Sequence, residues 1–110
     1  MIVVTTNEIT GYRVKEVLGL ARGLSVRSRS LVGNIGATVQ IIKGGNITIY
    51  TRLAETTRQE AFEMMVAQAT EMGANAIIAM RYDSSEMASA VTEVLAYGTA
   101  VIVEACIDSV

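Results

Sequence analysis

The amino-acid sequence predicts an α+β domain of two layers, in which helices cover one face of a mostly antiparallel sheet. One segment repeats apolar residues at helical spacing and ends at Gly73. Two later segments, residues 76–83 and 92–104, are apolar and suit neighbouring strands. A chain of 110 residues buries one core of this kind, so residues 1–110 are assigned to a single domain.

The N-terminal part of the chain is predicted to form β-structure. A β-branched run at residues 2–5 predicts a short strand. Residues 12–27 alternate apolar and polar positions, as a long strand or a two-strand hairpin does, and Gly19 and Gly23 indicate a bend or bulge within them. A short apolar run at residues 37–42, bracketed by glycines, predicts a short helix, although its β-branched residues suit a strand equally well.

The central helix has the strongest periodicity in the sequence. The residues of its expected buried face are Ala54, Ala61, Phe62, Met65, Val66, Ala69 and Met72. Its start is open, because Thr51 can cap it and Thr57 can form a capping box with Glu60. Met64 and Ala67 interrupt the opposite, polar face, and we expect a contact with another subunit there.

The last third of the chain is predicted to form an antiparallel hairpin. Residues 76–80 are continuously apolar, which is typical of a strand covered on both faces. Polarity returns at Arg81 and Asp83, and residues 84–90 are predicted to be a loop. Residues 92–104 then form a second long strand with a glycine at its centre.

The composition predicts a protein that associates with itself. Its residues are 51% hydrophobic and 18% charged, against about 25% charged in typical domains. A small subunit has too much surface to bury this excess of apolar residues, so part of the excess should lie between identical subunits.

No segment reaches the ~20 apolar residues of a membrane helix, and no signal peptide is recognised. With Cys106 as the only cysteine, a cytoplasmic location is expected.

Charge is distributed unevenly along the chain. Up to Arg29 there are five basic and two acidic residues, whereas the remainder has four basic and nine acidic residues, for a net charge of -2. We expect the basic strands to meet acidic helices within the fold or in a neighbouring subunit. A nucleic-acid surface is the alternative, and the acidic balance and scarcity of aromatic residues disfavour it.

The usual catalytic and metal-binding constellations are missing from the sequence. The chain has no histidine and one cysteine, so Ser-His-Asp, Cys-His and His-rich metal sites cannot form within one subunit. Cys106 could ligate a soft metal only by converging with its copies around an oligomer axis. A cysteine near the C-terminus more commonly has no such function.

A glycine-containing turn is the first candidate for ligand binding. Gly33, Asn34 and Gly36 could present backbone amides to an anion at the start of a short helix, with Arg27 and Arg29 just upstream. No phosphate-binding or dinucleotide-binding motif accompanies them. The alternative is a turn without a ligand.

A pair of carboxylates is the second candidate. Asp83 and Glu86, with Ser84 and Ser85 between them, supply oxygen ligands of the kind that hard cations prefer. Their spacing matches no calcium-binding loop, and a solvated turn is the alternative that we favour.

Seven motifs occur in a characteristic order along the chain. They are SVRSRS (residues 25–30), IGA (35–37), GG (44–45), YT (50–51), RQEA (58–61), GANAIIAMRYD (73–83) and EVLAYGTAV (93–101). In these the chain resembles the YbjQ-like family, uncharacterised bacterial and archaeal proteins sometimes labelled heavy-metal-binding. The resemblance implies a two-layer domain assembled as a ring-shaped homopentamer, and it implies no activity.

Three hypotheses about function follow. The first is a non-catalytic homo-oligomer, pentameric by resemblance, that acts as a binding or scaffold protein and holds a small ligand or ion between subunits near Arg27, Arg29 or the glycine turn. The second is a protein that binds or sequesters metal. The third is an enzyme with an inter-subunit site built from Arg81, Tyr82 and Asp83.

Overall fold

A computed structural model of the protein describes residues 1–28, 48–88 and 91–106. The elements are β1 (Ile2–Val3), β2 (Tyr12–Ser28), α1 (Thr48–Glu71), β3 (Ala76–Ala88) and β4 (Val91–Ala105). The sheet order is β1-β3-β4-β2, with β1 parallel to β3 and the other pairs antiparallel. The predicted α+β class, the mostly antiparallel sheet and the C-terminal hairpin are confirmed. The element predicted at residues 37–42 lies outside the described residues.

β2 is one continuous strand of 17 residues and not a hairpin. It pairs with β4 along its whole length, and its register shifts twice in the stretch that ends at Gly19. Gly19 has a φ of 124°, which agrees with the predicted irregularity there. At Gly23 a glycine is needed for close packing. Helix α1 crosses this residue so closely that a Cβ would collide with the helix backbone at Ala61 and Met65.

α1 begins earlier than both predicted caps and ends where the sequence predicts. Its first residue is Thr48, so Thr57 lies more than two turns inside the helix. The hydroxyl of Thr57 is buried and donates a hydrogen bond of 2.7 Å to the carbonyl oxygen of Leu53. The capping box with Glu60 is therefore wrong, because a threonine inside a helix bonds the preceding turn instead. After Glu71, Gly73 takes a φ of 91° and terminates the helix.

β3 is longer than the sequence indicates. The predicted loop was residues 84–90, but residues 84–88 continue the strand because β4 pairs with them up to Ala88, with one register shift after Glu86. Pairing with a long partner strand here overrides weak local β-propensity. A register shift between Ile78 and Arg81 forms a bulge opposite Gly98, with Ala79 at a φ of 54°.

The main core lies between α1 and the sheet. Ala61, Met65 and Ala69 of the predicted helix face are fully buried, whereas Ala54 of that face is exposed. Their buried partners on the strands are Ala21, Ile77, Met80, Val94, Ala96 and Ala100. A smaller cluster of Ala76, Val101 and Val103 packs with residues of the N-terminal segment on the opposite face.

Part of the sheet carries exposed apolar side chains. On the face of β2 that points away from α1, Leu20, Leu24 and Val26 are 58%, 45% and 49% exposed. Leu24 pairs with the partly exposed Leu95 of β4, and these four residues are called the outer stripe. The Cα radius of gyration is 18.2 Å, against about 13 Å for a compact domain of this size. The described residues of one subunit therefore leave part of their apolar surface exposed.

Candidate functional site

A cleft between the first half of α1 and the sheet is the candidate binding site. Its volume of about 420 Å³ falls within the range of small-molecule pockets. Its lining comprises Leu53, Ala54, Thr57 and Arg58 of α1, Arg27 of β2, Ser84, Ser85 and Glu86 of β3, and Thr92 and Val94 of β4. Apolar side chains and charged groups from four elements thus meet in one space, as they do in sites that orient a small ligand.

Arg27 is held at the wall of this cleft by an ion pair. Its guanidinium contacts a carboxylate oxygen of Glu60, one helical turn beyond the cleft residue Thr57. The hydroxyl of Ser25, which is 5% exposed, lies 3.5 Å from the other oxygen of Glu60. The pair joins the basic strand to the acidic helix, which is the contact within the fold that the charge distribution predicts.

We expect Glu60→Gln to lower the free energy of unfolding by only about 0.5 kcal/mol, because ion pairs this exposed are well screened by water. The side chains of Arg27 and Glu60 are 43% and 38% exposed. The loss should shrink at high salt. Urea denaturation at low and high salt measures it, with Glu55→Gln on the exposed helix surface as the control. A cost that is large and independent of salt would contradict a solvated pair.

The structure brings together only some of the predicted site residues. Arg27 and Glu86 line the same cleft. Asp83 pairs with Leu95 and Glu86 with Thr92, so strand alternation places the two carboxylates on opposite faces. They cannot chelate one ion within a subunit, since this segment is a strand and not a turn. The remaining predicted residues, Arg29, Gly33, Asn34 and Gly36, lie outside the described residues.

The three residues of the enzyme hypothesis do not converge within one subunit. Arg81 donates hydrogen bonds of 2.7 Å and 2.8 Å to the carbonyl oxygens of Thr5 and Met80. It thereby ties the N-terminal segment to β3. Tyr82 lies on the opposite face of the strand from Arg81 and Asp83.

Arg58 is a cleft residue that the sequence reasoning missed. It is exposed and forms no ion pair within the part of the chain that the structure describes. Its one signal in the sequence is its position four residues after Ala54, next to the predicted apolar face. No sequence pattern marked Thr92 or Val94 as site residues, because these two residues reach the cleft only through the pairing of β4 with its neighbouring strands.

The described residues of one subunit do not fit a heavy metal ion. Among them, no group of three or more cysteine, aspartate, glutamate or histidine side chains converges. Cys106 is exposed. A soft metal normally requires several thiolate or imidazole ligands.

Comparison with known proteins identifies the family. Residues 1–104 match a family model described as "Putative heavy-metal-binding". The chain belongs to this YbjQ-like family. Its relatives include a UPF0145 protein of Burkholderia thailandensis, 55% identical over 100 residues, which are 91% of this chain and 90% of the relative. A UPF0145 protein of Burkholderia mallei strain SAVP1 is 56% identical with the same coverage. The resemblance found in the sequence motifs is confirmed.

A solved structure shares the fold of this YbjQ-like chain. It is a crystal structure from Pediococcus pentosaceus, described as a protein with unknown function of the DUF74 family. The TM-score is 0.63, and the match covers 94% of this chain and 98% of the other. At 19% identity the likeness supports the fold alone. Among the described helical residues, no stretch is long and apolar enough to cross a membrane.

Proposed function

We propose that this YbjQ-like protein is a non-catalytic homo-oligomeric binding or scaffold protein of the cytoplasm. The observation that carries the proposal is the outer stripe, in which Leu20, Leu24 and Val26 expose about half of their side chains each. Burying such surface against an identical subunit is the usual route to a stable fold for a small apolar chain. The resemblance to the family implies a ring of five subunits.

The cleft beside Arg27 is the proposed place for a small ligand. The cleft contains two arginines, Arg27 and Arg58, and one carboxylate, Glu86; Arg58 forms no ion pair with a described acid, and Leu53 and Val94 supply an apolar wall. Arg29, Gly33, Asn34 and Gly36 follow Arg27 in the chain, and we propose that they complete the site with a neighbouring subunit. These features support a small molecule with an anionic group and an apolar part.

Native mass spectrometry of gently purified protein tests the proposal. We expect one closed oligomer, pentameric if the ring proposal is right, because the outer stripe favours association over exposure. Retained mass beyond that of the subunits would report a bound ligand. A monomer at micromolar concentration would refute the proposal, and a closed oligomer of another size would refute the pentamer alone.

Metal sequestration is the second candidate, and the family description favours it. Because Asp83 and Glu86 face opposite sides of β3, an ion would need ligands from more than one subunit, including copies of Cys106. Elemental analysis after loading with zinc or copper tests this function. If the protein sequesters metal, the wild-type oligomer should retain a stoichiometric amount, and Cys106→Ser or Asp83→Asn should lose it. A wild-type protein that retains no metal would refute this function.

A further inference from the structure

We infer that the cleft beside Arg27 binds a small monocarboxylic acid, in which a planar group with a single negative charge is joined to an apolar chain. This ligand class rests on the proposed binding function and narrows its ligand from anions in general to carboxylates. Phosphate esters with the same apolar chain should bind the cleft more weakly. Four features of the described residues support the assignment.

The first feature is an apolar helix face that continues beyond the point where α1 meets the sheet. Thr57 is 2% exposed and Ala61 is fully buried, so α1 packs against the strands from Thr57 onward. One turn earlier, Leu53 is only partly buried and Ala54 is exposed. These two residues and Val94 of β4 line the cleft. Apolar surface that borders a cavity in this way suits the apolar body of a ligand.

The second feature is an arginine beside this apolar surface. Arg58 lies four residues after Ala54, so the two are neighbours on the surface of α1. Arg58 forms no ion pair with any acid of the described residues, whereas Arg27 is paired with Glu60. A guanidinium group is planar and matches the two oxygens of a carboxylate with parallel hydrogen bonds. Arg58 is therefore the residue that we expect to bind the carboxylate.

The third feature is the balance of charge, which permits one negative charge and opposes more. Among the described residues, the lining of the cleft has two arginines and Glu86, and Glu60 pairs with Arg27 beside it. These two positive and two negative charges cancel before any ligand binds. Glu55 and Glu63 lie with Glu60 on an adjacent surface of α1. A phosphate ester carries nearly two negative charges at neutral pH and meets more repulsion here than a carboxylate does.

The fourth feature is a set of neutral hydrogen-bond donors on the sheet side of the cleft. Thr92 of β4 pairs with Arg27 on one side and Glu86 on the other, and Ser84 pairs with Val94. Val94 is buried in the core under α1, so strand alternation places Thr92 and Ser84 on the same face of the sheet. Their hydroxyl groups can donate to a carboxylate without adding positive charge that would favour a dianion.

Four ligands that share one apolar chain test the class of the ligand. They are octanoate, octyl phosphate, octylamine and octanol, each titrated into the wild-type protein by calorimetry below the concentration at which it forms micelles. We expect octanoate to bind about fivefold or more tightly than each of the others, because it alone gains charge-assisted hydrogen bonds without excess repulsion. Hexanoate should bind about fourfold or more weakly than octanoate, since it buries fewer methylene groups.

The other results of these titrations would overturn the inference. Octyl phosphate that binds as tightly as octanoate would show that the cleft does not select a single charge. Octanol that binds as tightly would show apolar contact alone. Failure of all four ligands to bind with a dissociation constant below about 1 mM would show that the cleft does not hold such a molecule.

Arg58→Gln is the variant that tests the site of binding. Arg52→Gln is the matched control, because Arg52 is also an exposed arginine of α1 but does not line the cleft. We expect Arg58→Gln to raise the dissociation constant of octanoate about fivefold or more and to leave that of octanol unchanged. Arg52→Gln should change neither. Equal weakening by the two variants, or none by Arg58→Gln, would place octanoate on another surface and overturn the inference.

Glu86→Gln tests the balance of charge. Removal of this negative charge should tighten the binding of octyl phosphate about fivefold and that of octanoate by less, because the dianion interacts more strongly with each charge in the cleft. Glu16→Gln on the distant part of β2 is the control and should change neither. No gain for octyl phosphate in Glu86→Gln would contradict the charge argument.

The outcomes separate this inference from the proposed function. Octyl phosphate or octylamine as the tightest ligand, with binding still sensitive to Arg58→Gln, would leave the binding function intact and refute the carboxylate class. A monomeric wild-type protein in native mass spectrometry refutes the proposed oligomer, whereas the titrations report the ligand of the cleft whatever the number of subunits.

Discussion

Replacing Gly23 with alanine is expected to lower the free energy of unfolding by about 3 kcal/mol, near the upper end of the usual cost of overpacking. The added Cβ would collide with the carbonyl oxygen of Ala61 and lie 2.5 Å from the amide nitrogen of Met65. Both atoms belong to the helix backbone, so no rotation of a side chain can relieve the collision. α1 would have to move away from β2, and urea denaturation measures the loss.

Gly19→Ala is the matched control on the same strand. Its Cβ would meet only the end of the Met72 side chain, at 3.8 Å. The cost there comes from the backbone, whose φ of 124° favours glycine, and we expect about 1 to 2 kcal/mol. If Gly23→Ala were no less stable than Gly19→Ala, the close approach of α1 to β2 would be wrong.

Replacing Met65 with alanine is expected to cost about 3 kcal/mol of unfolding free energy, as for other large side chains removed from a core. Met65 is fully buried where α1 faces the sheet, and its neighbours include the backbone of Gly23. The cavity left behind would lie between the helix and β2. Denaturation at several protein concentrations should show the loss at all of them.

Met64→Ala is the control for this variant. Met64 precedes Met65 in the chain but is 50% exposed, and it lines a surface groove together with Leu24 of β2. We expect the subunit fold to lose no more than about 0.5 kcal/mol. Any larger effect should depend on protein concentration, since it would come from weakened subunit contacts. Similar losses for the two variants at every concentration would contradict the described orientation of α1.

Much of the fold follows from local sequence patterns. The helix face that contains Met65 and the glycine stop after α1 were predictable because both depend on residues close together in the chain. The extension of β3 to Ala88 was not, because pairing with β4 stabilises it. The predicted capping box at Thr57 was wrong because the helix begins more than two turns earlier, at Thr48, and the Thr57 hydroxyl bonds to the carbonyl oxygen of Leu53 inside it.

The candidate site was predicted only in part. Arg27 and Glu86 were each singled out, but for different ligands: Arg27 upstream of the glycine turn for an anion, and Glu86 in a predicted loop for a cation. Their position in one cleft depends on β2, β3 and β4 lying side by side, which no spacing along the chain reveals. Arg58 was missed because an arginine on a helix surface has no distinguishing pattern.

By itself the sequence determined the α+β class, the family and the absence of histidine chemistry, because these depend on composition, short-range periodicity and ordered motifs. Its apolar composition also predicted that part of the apolar surface lies between subunits. Only the tertiary structure decided where exposed apolar surface lies, on the outer stripe and along the edge of β2. The reason is that exposure depends on which strand ends the sheet and which face the helix covers, and long-range pairing sets both.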